Sequence, residues 1–105
     1  MKSAHAIALV LALLAASPAA RAQGGMSAAQ QDEVRAAVRE GRHVPLAPVL
    51  EQIRRRQPGR QLDTGLEREP DGRPVYRVRW AGEHGRRVDY IVDAQTGAIL
   101  RTEGR

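Results

Sequence analysis

Hydrolytic catalysis needs a nucleophile, a base and a group that orients the base, all within hydrogen-bond reach. Beyond residue 22 this sequence offers one serine, two histidines and no cysteine for that purpose. Ser27 stands just before a helical stretch, where its hydroxyl reads as an N-cap. His43 falls in a loop between two predicted helices and His84 in a predicted hairpin turn, both ordinary places for a solvated imidazole, so no catalytic set is assigned. A structural zinc site wants four ligands at short spacings, whereas these histidines are 41 residues apart with no supporting pair, so neither metal nor cofactor is expected. Asp89 and Asp93 share strand parity and could bracket a cation, but among so many arginines they read as ion-paired. Asp71 with Gly72, and Gly82 with Gly85, are turn formers, because no Gly-rich strand-to-helix junction surrounds them to cradle a phosphate. The absence of cysteine also removes thiol redox chemistry and disulfides.

The chemistry that is left is that of the guanidinium group. Past residue 22 there are fifteen arginines, no lysine and twelve acidic residues, a net charge of +3. Arginine matches carboxylates better than lysine does. The densest cluster, Arg54, Arg55, Arg56 and Arg60, is a candidate site for an anionic lipid or cell-wall component. Its plain alternative is a set of solvated cations at the negative end of a helix dipole.

The N-terminus restricts where such chemistry operates. Lys2, an 11-residue apolar run from Ala6 to Ala16, then Ser17, Pro18 and the Ala20, Arg21, Ala22 tripeptide form a three-part export signal, cut near Ala22. The run is well short of the roughly 20 residues of a spanning helix, and no cysteine follows it to carry a lipid. The expectation is a periplasmic or secreted protein of 83 residues with no stable membrane anchor, for which nucleic acid is an unsuitable partner. Residues 1–22 are the signal peptide, 23–43 a leader and short N-terminal helix, and 44–102 one small domain.

Ser27 starts the first helix, which runs to about Glu40 with Val34, Ala37 and Val38 on one weak stripe; Gly41 stops it. A second helix spans Pro45 to Gln57, with Leu46, Val49, Leu50 and Ile53 at spacings of three and four, and Pro58 and Gly59 end it. From Arg60 the period becomes two. Four strands follow, Arg60 to Glu69, Pro74 to Trp80, Arg86 to Val92 and Ala98 to Thr102, separated by turn residues.

Parity ties these strands together. Leu62, Leu66, Tyr76, Val78, Trp80, Val88, Tyr90, Val92, Ala98 and Leu100 are all even-numbered, so an antiparallel meander with even register sums puts them on one face, beneath the second helix. The fold class is α+β: a helix packed on a three- to four-stranded antiparallel meander, with an additional N-terminal helix. The odd face carries Glu67, Val75, Arg77, Arg79, Arg87, Asp89, Ile91 and Ile99, and plausible registers set Asp89 opposite Arg77 or Arg79. On it, Val75, Ile91 and Ile99 are expected to align as an apolar stripe among Arg77, Arg79 and Arg87, a candidate protein-binding surface. The outer strands offer a second route, pairing with a partner's extended segment or forming a homodimer through a sheet edge.

The segments PLAPVLEQI, PGRQLDTGLEREPDG, PVYRVRW and GRRVDYIVDAQTGAIL, in that order between Pro45 and Leu100, resemble the PepSY domain family of peptidase propeptides and a sporulation protein. VDAQTG is the most specific piece. The resemblance implies one helix across an antiparallel sheet and an exported regulatory or inhibitory module rather than an enzyme. Its partner would be an exported or envelope protein such as a peptidase or a sensor kinase. With nothing after Arg105, inhibition is expected to act in trans. The family lends no catalytic residues, only the fold-defining Asp93 and Gly97 of the last turn.

Overall fold

The computed structural model describes residues 25–104; the expected signal peptide and its expected cleavage near Ala22 lie outside them. Helix α1, Ala28–Arg39, begins where the Ser27 hydroxyl accepts the Gln30 amide at 3.1 Å, and it buries Val34 and Ala37. After it the chain reverses tightly, with the amides of Arg42 and His43 both donating to Ala37 O at 2.8 and 3.2 Å. That reversal carries His43 inward. Its ring stands edge-on to Tyr76 with centroids 6.2 Å apart, and the residue is 9% exposed, so the expected solvated loop histidine is buried instead. His84 is exposed, as expected, in a hairpin turn.

Helix α2, Leu46–Arg56, buries Val49 and Ile53, with Leu46 and Leu50 packed at the core's margin. Strands β1 (Gly59–Arg68), β2 (Pro74–Gly82), β3 (Arg87–Asp93) and β4 (Ile99–Gly104) then form one antiparallel meander in the order β1-β2-β3-β4. The last turn is held by Asp93, whose carboxylate accepts the Gln95 and Thr96 amides at 2.8 and 3.3 Å, and by Gly97, which takes a φ of 83° that a side chain would resist.

Register explains which side of each strand is apolar. From Asp63 to Arg68, and throughout the β2–β3 pair, opposed residues have the same parity. The even face is therefore continuous: Tyr76, Val78, Trp80, Tyr90 and Val92 are 3% exposed or less and meet Val34, Val49 and Ile53 of the helices. Each such burial contributes roughly 1.5–3 kcal/mol.

Two bulges break the parity rule at the ends of the sheet. In β1, Gln61 faces Trp80 while Asp63 faces Arg79, leaving Leu62 as the extra residue, half-buried and outside the core cluster. Between β3 and β4, Ile91 faces Arg101 but Val92 faces Ile99, so Leu100 is the extra residue. Ile99 consequently turns to the core side, and Ala98 is exposed. The expected positions of Leu62, Ala98, Ile99 and Leu100 are corrected for one reason, since a bulge inserts one residue and reverses every side chain beyond it.

The polar tips of the buried aromatic residues fasten both ends of α2 to the sheet. At its start, Tyr76 Oη donates to Val44 O at 2.9 Å, and the Val44 amide donates to Ala94 O at 2.8 Å. At its end, Gln57 accepts from Trp80 Nε1 through its backbone carbonyl (2.9 Å) and from Tyr90 Oη through its side-chain oxygen (2.6 Å). Burial pushes both tyrosine hydroxyls above their ordinary pKa. Gly59 permits this close approach, because a β-carbon there would overlap the Ala81 carbonyl oxygen and lie 2.8 Å from Trp80 Nε1.

Candidate functional site

The sheet face away from the helices is where the candidate binding residues gather. Arg77 and Arg79 stand on β2 with Asp89 opposite Arg79 on β3, while Arg87 is exposed at the start of β3. Arg77 is the hub. Its Nε donates to both oxygens of Glu67 at 3.0 and 3.1 Å, and its Nη1 to Asp89 at 2.9 Å and Glu103 at 3.0 Å. Arg101 continues the lattice, reaching Glu103 at 3.1 Å and Glu69 at 2.7 and 3.2 Å. Arg79 lies 3.7 Å from Asp63 and 3.9 Å from Asp89, and Arg73 lies 3.8 Å from Asp93.

This lattice decides the fate of the apolar stripe. Glu69 follows β1 and Arg101 is on β4, so their pair crosses β2 and β3, whose spacing is about 4.8 Å per strand. The two long side chains must lie flat over the face, their aliphatic stems covering apolar groups beneath them. Val75 is 1% exposed and Ile91 is 0% exposed, although among the described residues the buried helix side chains cluster with the opposite, even face. Ile99 is on the core side. The stripe expected from Val75, Ile91 and Ile99 is therefore not assembled: two members lie under a charged roof and the third faces the core.

The electrostatics follow from the same contacts. Hydrogen bonding from Arg101 holds Glu69 below the usual carboxylate range, and hydrogen bonds from Arg77 and then Arg101 do the same for Glu103. Arg77 and Arg101 are correspondingly harder to deprotonate, Arg77 chiefly through Glu103 and Arg101 chiefly through Glu69. Most arginines on this face are already engaged with carboxylates. Beside them Gly65, opposite Arg77, leaves a depression of about 230 Å³ walled by Asp63, Glu67, Arg77, Arg79, Gln30 and Gly25.

The cluster Arg54, Arg55, Arg56 and Arg60 does not converge on a single surface. Consecutive helical residues point roughly 100° apart, and the three fan out accordingly. Arg54 pairs with Glu51 at 2.5 Å and lies over the Trp80 ring at 5.8 Å, while Arg55 borders a groove between α2 and the last turn. Arg56 is close enough to Tyr90 to influence its hydroxyl. Arg60 is on β1, opposite Ala81, which in turn faces Arg87. Among the described residues no three potential metal ligands come together.

Glu69, Arg101 and Glu103, which extend the network around Arg77, were not among the sequence's candidates. All three are odd-numbered, like Arg77 and Asp89, so the parity that places the core could have found them. The predicted last strand stops at Thr102, one residue short of Glu103. Gln57 carried no signal of its own beyond its place at a helix end.

Two helices contribute Val34, Val49 and Ile53 to the core on one face of a four-stranded meander, and the other face carries a cross-linked charged layer. In the comparison with known families, the PepSY family, Peptidase propeptide and YPEB domain, matches residues 44–103. The chain belongs to this family, which is generally of the propeptide or regulatory kind, typically non-catalytic and commonly extracellular or envelope-associated. Among the described residues no helix is long and apolar enough to cross a membrane. No curated protein and no solved structure matches the chain.

Proposed function

We propose that this protein is an exported, non-enzymatic PepSY module that modulates a peptidase or another envelope protein in trans, and that it engages that partner with the charged face of its sheet. The observation that carries the reading is the Gly65 depression. The family match covers α2 and the meander as one unit, and on the charged face of that unit the depression presents two guanidiniums and two carboxylates, with Gln30 of α1 at its rim. Arg79 and Arg87 supply rim charge that steers encounter. Val75 and Ile91 serve as the packed floor that holds the charges in place.

The test uses a residue whose replacement fits. A β-carbon on Gly65 would meet no atom within 4 Å beyond its chain neighbours, so Gly65→Leu is expected to extend into the depression and leave the fold intact by circular dichroism. Purified protein is added to the exported peptidase fraction of the same cells and peptide hydrolysis is followed. Wild type is expected to change the rate at least several-fold at low salt, and Gly65→Leu and Arg79→Glu to lose most of that effect. Equal effects of wild type and Gly65→Leu would remove this face as the interface, and no effect of wild type would remove modulation in trans.

A further inference from the structure

The two edges of the sheet are finished differently, and turn hydrogen bonds show how. The Ala94 amide donates to Pro74 O at 3.0 Å and the Asp93 amide to Ala98 O at 2.8 Å. Even residues of β3 therefore bond toward β2 and odd residues toward β4, since backbone direction alternates along a strand. Ile91 opposes Arg101 and Asp89 opposes Glu103, so Arg101 and Glu103 direct their N–H and C=O groups to β3. Thr102, between them, turns both of its groups to the open side. Carried to the opposite edge, the alternation turns the carbonyls of Thr64 and Leu66 outward from β1. Those are attended: Gln30 Nε2 donates to Leu66 O at 3.4 Å, and a β-carbon on Gly25 would lie 3.7 Å from Thr64 O. Among the described residues no segment plays that part for β4, the last strand in the sheet order.

We infer that β4 pairs with β4 of a second copy, antiparallel about a two-fold axis at Thr102, joining two four-stranded sheets into one. Charge complementarity selects this occupant and this register. Centred on Thr102, the pairing sets Arg101 opposite Glu103 of the second copy, and the reverse, twice over. Those two positions are the non-hydrogen-bonded pairs, where side chains approach most closely. Both are partly open to receive the contact, with side chains 44% and 41% exposed. Thr102 meets Thr102 as a hydrogen-bonded pair. Centring on Arg101 or Glu103 instead would set like charges face to face, and it would place on the axis a residue whose backbone is committed to β3. Charges on an edge strand ordinarily deter pairing; this pattern deters mismatched strands and accepts its own copy. The charged lattice of each copy would then continue into the other through Arg101 and Glu103. This inference is independent of the partner reading above, which uses the sheet face.

The chain has no cysteine, which makes Thr102→Cys a direct probe. Residues in a hydrogen-bonded antiparallel pair have α-carbons about 5.5 Å apart, within disulfide reach. Mild oxidation should convert Thr102→Cys to a covalent dimer at least tenfold faster than Thr96→Cys, an exposed position in the last turn. By sedimentation equilibrium the wild-type mass should double between micromolar and millimolar protein. Thr102→Pro, which removes an N–H facing the open side only, should stay monomeric with an unchanged circular dichroism spectrum. A monomer throughout that range overturns the inference, as does cross-linking no faster than the control. A dimer that survives Thr102→Pro, or a monomer that binds added extended peptides along β4, assigns the edge a different role and overturns it equally.

Discussion

Beneath α2 the sheet buries Tyr76, Val78, Trp80 and Val92 against helical side chains, whereas its other side buries Val75 and Ile91 to the same depth outside the cluster that the described helices join. On the first side the cover is apolar, and the few polar atoms are tyrosine and tryptophan tips aimed at the ends of α2. On the second side the cover is made of guanidinium stems and carboxylates locked to one another across four strands. The contrast teaches that a small chain without disulfides can close both faces of one sheet while spending only one helical layer. The second face then remains hydrophilic while Val75 and Ile91 at its base stay buried.

The largest expected effect breaks the apolar side. Trp80 is fully buried and bonded to Gln57 O, so Trp80→Ala removes a large ring and leaves that carbonyl without its donor. A loss of about 3–5 kcal/mol is expected, a large share of the stability of a domain this small. Urea denaturation followed by far-ultraviolet circular dichroism measures it. A loss under about 1 kcal/mol would show that the helix layer does not hold the sheet as described.

Next in size is the hub of the charged side. Arg77→Ala removes the guanidinium that Glu67, Asp89 and Glu103 share and opens the cover over Ile91, at an expected cost of about 2–4 kcal/mol by the same measurement, because the buried Asp89 loses its ion pair at 2.9 Å. The double replacement Arg77→Met with Asp89→Leu should recover most of that loss, since an apolar pair of similar volume is often as stable as the ion pair it replaces. Recovery would show that the charges are there for the surface they present and that the stems do the covering. Failure to recover would give the charges a structural role equal to that of the aromatic core.

How much of this was legible in the sequence follows from where parity holds. Between Asp63 and Asp93 the meander has no irregularity, and every even residue from Tyr76 to Val92 that was assigned to the core is there or at its margin. The helices were readable from their spacing and from Ser27, Pro58 and Gly59. The bulges at Leu62 and Leu100 were not, because the bulged residues are ordinary apolar side chains and nothing in their type marks an extra residue. That single blind spot also misplaced Ile99 and so the apolar stripe. The charged lattice was half legible. Asp89 beside Arg77 follows from register, but the pair between Glu69 and Arg101 joins residues 32 apart across two intervening strands, a separation no local pattern reports. His43 was unreadable for a related reason, since its burial depends on a chain reversal fixed by backbone bonds to Ala37.

The smallest effect sharpens the comparison through pH. Glu69 and Glu103 are held below the usual carboxylate range by their arginine partners, Glu69 chiefly by Arg101 and Glu103 chiefly by Arg77. A carboxylate whose folded pKa is lowered stabilises the fold above its unfolded pKa, and that contribution disappears as pH falls through the folded value. The window therefore opens as the pH approaches about 4.3, where an unfolded glutamate is half protonated. Arg101→Gln should lower the melting temperature near neutrality by no more than a few degrees, because the groups it releases are solvent-exposed and screened. Wild type and variant should then converge as the pH is taken well below 4, since protonation removes from the wild type what the substitution removed from the variant. The hydroxyls of Tyr76 and Tyr90 give the opposite limb, common to both proteins: their raised values cost stability as the pH climbs past the ordinary tyrosine range. A gap between the two proteins that is unchanged from neutral to acid pH would mean that Arg101 stabilises by covering Val75 and Ile91 rather than by its charge. The charged side would then differ from the apolar side less than its chemistry implies.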